Sequence, residues 1–224
     1  MLSTKIKPLT FEKSRLNKQE WNILKKLNTP EKIQDFLNSV PFNFEKDGET
    51  HYSVRYSLKH NKMHCLEGAM VAAAALWIQG ERPLLFDLVT VRPDLDHITT
   101  LFKKNGGWGA ISKTNHSVLR YRDPIYKNMR ELALSYFHEY FLPKGLEEVG
   151  KKTLRKYSEP FDLSRFGTEW LTSSENLAFL AQMIDVSPHK DILTKKQIRS
   201  LRLAEKLEIE AGEIVEYKKP KGHW

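Results

Sequence analysis

The chain opens on two stretches in which apolar residues recur every three or four positions. Trp21, Ile23, Leu24 and Leu27 follow Asn17, a helix-capping residue type, and the pattern stops at Asn28-Thr29-Pro30. Ile33, Phe36 and Leu37 repeat the spacing behind Thr29 and Pro30, the pair expected at a cap and first helical position, and Pro41 ends that stretch. Asn43 to Glu49 reads as a polar loop, and Tyr52 to Leu58 is too short to assign to helix or strand. From Cys65 to Gln79 the pattern changes to a continuous run of strong helix formers, stopped by Gly80. Its small residues, Gly68, Ala69, Ala72, Ala73 and Ala75, predict a central helix that neighbouring backbone approaches closely.

Period-two character follows. Leu84 to Val91 is apolar on both faces, His97 to Phe102 is a second strand, and Asn105-Gly106 signals a hairpin whose return strand is Trp108 to Ser112. Helical spacing resumes over Asn128 to Tyr140. It continues in more polar form over Glu175 to Met183, behind Ser173 or Ser174, and over Thr194 to Leu207, where Thr194 and Gln197 have capping-box spacing. No internal repeat is visible. The order predicts an α+β fold in which an antiparallel sheet packs on the Cys65 helix. Residues 1–143 are expected to form the core with N-terminal helices, and 144–224 a helical C-terminal extension, either part of the same domain or separate from it.

Composition changes this picture little. In 224 residues, 40% hydrophobic and 29% charged is the balance of an ordinary soluble domain, long enough to bury a sizeable core. The longest apolar run, Ala69 to Ile78, is half of what a bilayer-spanning helix needs, about 20 residues. Met1 to Pro8 carries no secretory pattern, and the single cysteine rules out an internal disulfide, so a reducing, cytoplasmic location is expected. Net charge is +8, but the basic pairs are short and interleaved with acids, from Lys25-Lys26 to the basic tail at Tyr217–Trp224. A nucleic-acid partner is therefore not expected.

Candidate chemistry concentrates at Cys65. A thiol opening a helix meets the positive end of the macrodipole and unpaired N–H groups, both of which favour the nucleophilic thiolate. His97, on a strand, follows 32 residues later (97 minus 65). His60, His64 and Cys65 match no zinc-ligand spacing, so neither a metal nor a cofactor is expected.

The segment Cys65-Leu66-Glu67-Gly68-Ala69 with its alanine helix, then Asp96-His97-Ile98-Thr99, then Gly106-Gly107-Trp108, resembles the core of the transglutaminase-like superfamily, which has the papain-like fold. The likeness covers about residues 62–112. His64–Ala69 and Trp108–Lys113 look like an uncharacterised bacterial branch that brings no known substrate with it. The resemblance implies a Cys65–His97 pair acting on a protein, peptide or small amide through a thioester, ending in hydrolysis or acyl transfer. A catalytically inactive binding or scaffold protein on the same fold is the alternative.

One departure stands out. The family usually places an aspartate four residues after the hairpin tryptophan, and here that residue is Ser112. The partner of His97 depends on hairpin register. A turn centred on Lys104-Asn105 opposes His97 with Ser112, one centred on Asn105-Gly106 opposes it with Thr114, and a bulge brings in Asn115. Ser112 and Asn115 are the two candidates for orienting the imidazole.

Overall fold

The computed structural model describes residues 4–46 and 48–218. Asp47 of the polar loop and residues 219–224 of the basic tail lie outside the described residues. Short α1 (Phe11–Ser14) leads into α2 (Lys18–Lys26) and α3 (Pro30–Ser39). Asn17 and Glu20 close a reciprocal capping box on α2, and Thr29 caps α3 with Pro30 in its first turn. The unassigned stretch forms a helix, α4 (Val54–His60), because the Ser53 hydroxyl accepts from the Tyr56 amide and starts it.

Helix α5 (Cys65–Ile78) is buried from Leu66 to Trp77. Helices α2, α3 and α4 cover one side of it and the sheet covers the other. Gly68 is where close approach is needed most: a Cβ there would lie 2.4 Å from Lys113 Cβ. The Lys113 side chain itself is 1% exposed and donates from Nζ to the carbonyls of Leu37 (2.8 Å) and Val40, satisfying the C-terminal end of α3. Burial pulls this lysine down to about 8.

The sheet is antiparallel throughout: β1 (Leu84–Val89), β2 (His97–Lys104), β3 (Gly107–Ile111), β4 (Arg122–Tyr126), β5 (Lys156–Ser158), β6 (Phe161–Asp162) and β7 (His189–Asp191). The order runs β4-β3-β2-β1-β5-β7, with β6 also on β1. The β2–β3 turn is centred on Asn105-Gly106, both with positive φ, and pairs Lys104 with Gly107. Alternation divides the strands: Leu85, Thr100 and Phe102 face α5, whereas Phe86, Leu88 and Leu101 face α6 (Met129–Tyr136) and the aromatic side chains of Tyr136, Phe137 and Tyr140. Thr100 Oγ1 also donates to the Ala69 carbonyl at 2.6 Å, pinning the Cys65 helix to the sheet.

The fold is thus α+β with an antiparallel sheet. The C-terminal segment corrects the expectation of a helical extension. Residues 156–158, 161–162 and 189–191 are strands that complete the sheet next to β1. Between and after them lie α7 (Glu169–Thr172), α8 (Ala178–Asp185), α9 (Lys195–Arg199) and α10 (Lys206–Gly212). Neither Ser173 nor Ser174 caps α8, whose N-cap position is Leu177 without a side-chain bond. The long helix from Thr194 is two short ones, although its Thr194–Gln197 capping box is present on α9. No helix of the described residues is long and apolar enough to cross a membrane.

Candidate active site

Cys65 is the first residue of α5, and His64 is its N-cap. His64 holds this position through three contacts. Its Nε2 donates to the Thr50 carbonyl at 2.7 Å, its Nδ1 accepts from the Leu66 amide at 3.3 Å while the ring is neutral, and the same Nδ1 lies 3.9 Å from Cys65 Sγ, to which it donates once protonated. Beneath it, the fully buried Glu67 carboxylate accepts from the His64 amide (3.0 Å), Tyr52 amide (3.1 Å), Thr50 hydroxyl (2.9 Å) and Asn43 amide group (3.1 Å). The loop before α5 is therefore wrapped around one carboxylate.

His97 stands at the start of β2 and lines the same cavity as Cys65, whose thiol it helps to hold below its usual range. Its Nε2 lies 2.8 Å from Ser112 Oγ, and Ser112 donates its single hydroxyl proton to the Leu119 carbonyl. A hydroxyl that has given its proton away can only accept, so Nε2 of His97 carries the hydrogen and Nδ1 is left to take up a proton. Gln34 holds Ser112 by accepting from its amide (2.9 Å) and donating to its carbonyl (2.8 Å).

Burial pushes the Cys65 thiol up, but hydrogen bonds and positive charge from His64 and then His97 outweigh it, leaving the thiol well below its usual range. For His64, burial pulls down; the bond and charge of Cys65, then Glu67 and Glu45, raise it to about 9. Cys65 and His64 thus favour the ion pair across neutral pH.

The turn register is the one that opposes His97 with Thr114, yet regular pairing ends at Thr100–Ile111. Beyond it, Ser112 meets His97 diagonally, on the shared face. Asn115 is not brought to His97. Its side chain closes on Tyr217, donating to the carbonyl (2.9 Å) and accepting from the amide (2.9 Å), while the Glu216 amide donates to the Asn115 carbonyl (2.8 Å). With the Ser117 amide bonded to Ile214 and an Arg120–Glu216 ion pair, residues 212–217 form a strap over this end of the sheet. Replacing Asn115 by Ala is expected to raise hydrogen exchange at the Tyr217 amide at least tenfold while leaving α5 amides protected. Unchanged exchange would show that the strap is held by its backbone bonds alone.

Asp87 accepts from His189 Nε2 at 3.0 Å, a structural pair that ties β7 to β1. Asp96 accepts from the Thr90 amide and hydroxyl and takes no part in orienting His97. Among the described residues no cluster of three or more His, Cys, Asp or Glu is placed to hold a metal. In the sequence His64 stood out only within a His60, His64 and Cys65 spacing that matches no zinc site. The signal for more was its position: histidine is not a usual N-cap type, and one sits there next to the cysteine. No family model matches the chain, and no curated protein matches it.

Proposed function

We propose that this protein is a thiol enzyme that cleaves or transfers an amide-type acyl group through a Cys65 thioester, on a papain-like, transglutaminase-like core. The observation that carries this reading is the His97 imidazole. It shares a cavity with the thiol at a helix start, and its Nε2 is held in one tautomer by a serine whose own proton is committed elsewhere.

In this mechanism the Cys65 sulfur attacks the acyl carbon, and the carbonyl oxygen becomes an oxyanion beside the Cys65 amide at the first position of α5, which has no intrahelical acceptor. The thiol proton, held on His64 at rest, is relayed through the sulfur to His97, which gives it to the leaving amine as the C–N bond breaks. Water, or an acceptor amine, then adds to the thioester, giving its proton to His97, and the C–S bond breaks to restore the thiolate. Ser112 stabilises the imidazolium less than a carboxylate would, so turnover is expected to be modest. The retained tautomer control favours catalysis over a purely binding role.

The test is acylation by p-nitrophenyl acetate, followed by nitrophenolate release and intact mass. The native protein should give a burst approaching one equivalent, with the label on Cys65. Cys65→Ala should give none. Ser112→Ala should turn over roughly 5- to 100-fold more slowly, the effect of leaving a buried N–H unpaired. No burst from a protein whose thiol still alkylates readily would favour the binding-protein reading.

A further inference from the structure

Resting on the thioester reading, we propose that the cavity beside Cys65 binds the acyl side of the substrate. That group is a single uncharged apolar ring or branched chain carrying one hydrogen-bond acceptor, and Tyr140 selects the acceptor. The cavity measures about 270 Å³ and runs from Cys65 and His97 to the strap at Gly212. Its size is just below that of pockets for drug-sized ligands, so it suits one side-chain-sized group rather than a polymer segment.

Its walls are predominantly apolar, with Phe42, Leu95, Leu119 and Phe141 contributing. The carboxylates at its edge are already engaged. Asp94 accepts from the Thr153 hydroxyl and the Leu95 amide, Asp96 from Thr90, and Glu139 from the Leu119 amide and Arg122. Glu213, the fourth, accepts from the Lys144 amide and pairs with Lys144 Nζ, so a further anion would meet four negative groups, a cation would have to compete for acids that hold partners, and an uncharged ligand fits best.

Tyr140 supplies the specific feature. It lines the cavity, is 2% exposed, and its hydroxyl has no hydrogen-bond partner. Its neighbour one turn back, Tyr136, is equally buried but donates to the Arg120 carbonyl, so an orphaned hydroxyl is not a general property of this aromatic face. Buried polar groups are nearly always paired, and an unpaired one in the wall of a cavity next to a nucleophile is where a ligand atom can complete the bond. Burial and the charges of Asp94 and Cys65 hold this phenol well above its usual range, so it stays protonated and can donate to an acceptor that the ligand brings.

The experiment compares p-nitrophenyl esters of acetate, phenylacetate and 4-methoxyphenylacetate as acylating agents of native protein and Tyr140→Phe. Phenylacetate should acylate Cys65 about tenfold faster than acetate, from burial of the ring. The methoxy oxygen should add roughly fivefold in the native protein and nothing in Tyr140→Phe. Acetate, which does not reach the cavity, sets the reference rate within each protein against which the ring and methoxy effects are taken. An absent ring preference, or a methoxy gain that survives in Tyr140→Phe, overturns the assignment. If no ester acylates the protein, the thioester reading fails and the cavity is judged by calorimetry. There, 4-methoxyphenylacetamide should bind Cys65→Ser about fivefold more tightly than Cys65→Ser/Tyr140→Phe, and equal binding would dismiss the site.

Discussion

At pH 6, replacing His64 by Asn slows alkylation of Cys65 by iodoacetamide on the order of tenfold. Asparagine keeps a good N-cap, so the change removes the imidazole and little else. A thiol with the ordinary pKa of about 8.5 is only about 0.3% thiolate at pH 6, so restoring full ionisation gains up to about 300-fold in reactive species. A more acidic thiolate is a weaker nucleophile, which takes back part of this gain, and His97 keeps part of it in the variant, so the net figure is on the order of tenfold. At high pH the order should invert, because both thiols are then ionised and the more basic one reacts faster. His97→Ala should shift the profile in the same direction but by less, while harming acyl turnover more.

The sign for stability is equally definite. With its pKa raised to about 9, His64 contributes stability that is whole below its ordinary pH of about 6.5 and is lost as pH rises through 9. The thiol, being depressed, contributes in the opposite sense: its share is present above the ordinary thiol range and disappears as pH falls through the folded value. The two groups share one proton, so their contributions are not additive. Thermal midpoints of the native protein and His64→Asn should therefore draw together between pH 7 and 10. Superimposable alkylation profiles for the two proteins would show that His64 is only a cap.

The second large effect is on stability. Glu67→Ala should cost about 3–5 kcal/mol, a substantial part of the 5–15 kcal/mol that holds a typical domain together. The carboxylate is fully buried and accepts from four groups that have come from the loop residues Asn43, Thr50, Tyr52 and His64. Deleting it leaves buried donors unpaired, each costing about 1–3 kcal/mol unless water enters. Glu67→Gln should fall between, because one of the two acceptor oxygens becomes a donor facing other donors. The loop also carries the Thr50 carbonyl that holds His64, so the alanine variant should show an upward shift of thiol titration besides its lower denaturant midpoint. A loss under about 1 kcal/mol would mean that the loop does not depend on this carboxylate.

These effects separate what was legible along the chain from what was not. The N-cap residues Asn17, Thr29 and Thr194, the alanine helix starting at Cys65 and the Asn105-Gly106 turn are local features. Each acts over three to five residues, so pattern alone locates them. The strands at 156–158 and 189–191 left no such trace. They are three residues long, carry lysine, histidine and aspartate, and are strands because β1 offers an edge to the first and the first offers its own edge to the second. The end of α9 at Arg199 was equally hidden, since residues 200–205 keep helical spacing while the Ala204 amide bonds to the Gly150 carbonyl.

At the candidate site the same division holds. The sequence by itself determined that a lone cysteine begins a buried helix and that a histidine begins a strand of the neighbouring hairpin, because both follow from short-range pattern. Only the tertiary structure decided which groups surround them. Ser112 rather than Asn115 meets His97 because regular pairing stops at Ile111 and the chain then turns under the grip of Gln34. Asn115 is drawn away by Tyr217, 102 residues distant. His64 reaches the sulfur because Glu67 and Thr50 fix its ring. Hydrogen-bond partners chosen across such separations depend on where whole elements come to rest, and that is set by the packing of two cores rather than by any local preference.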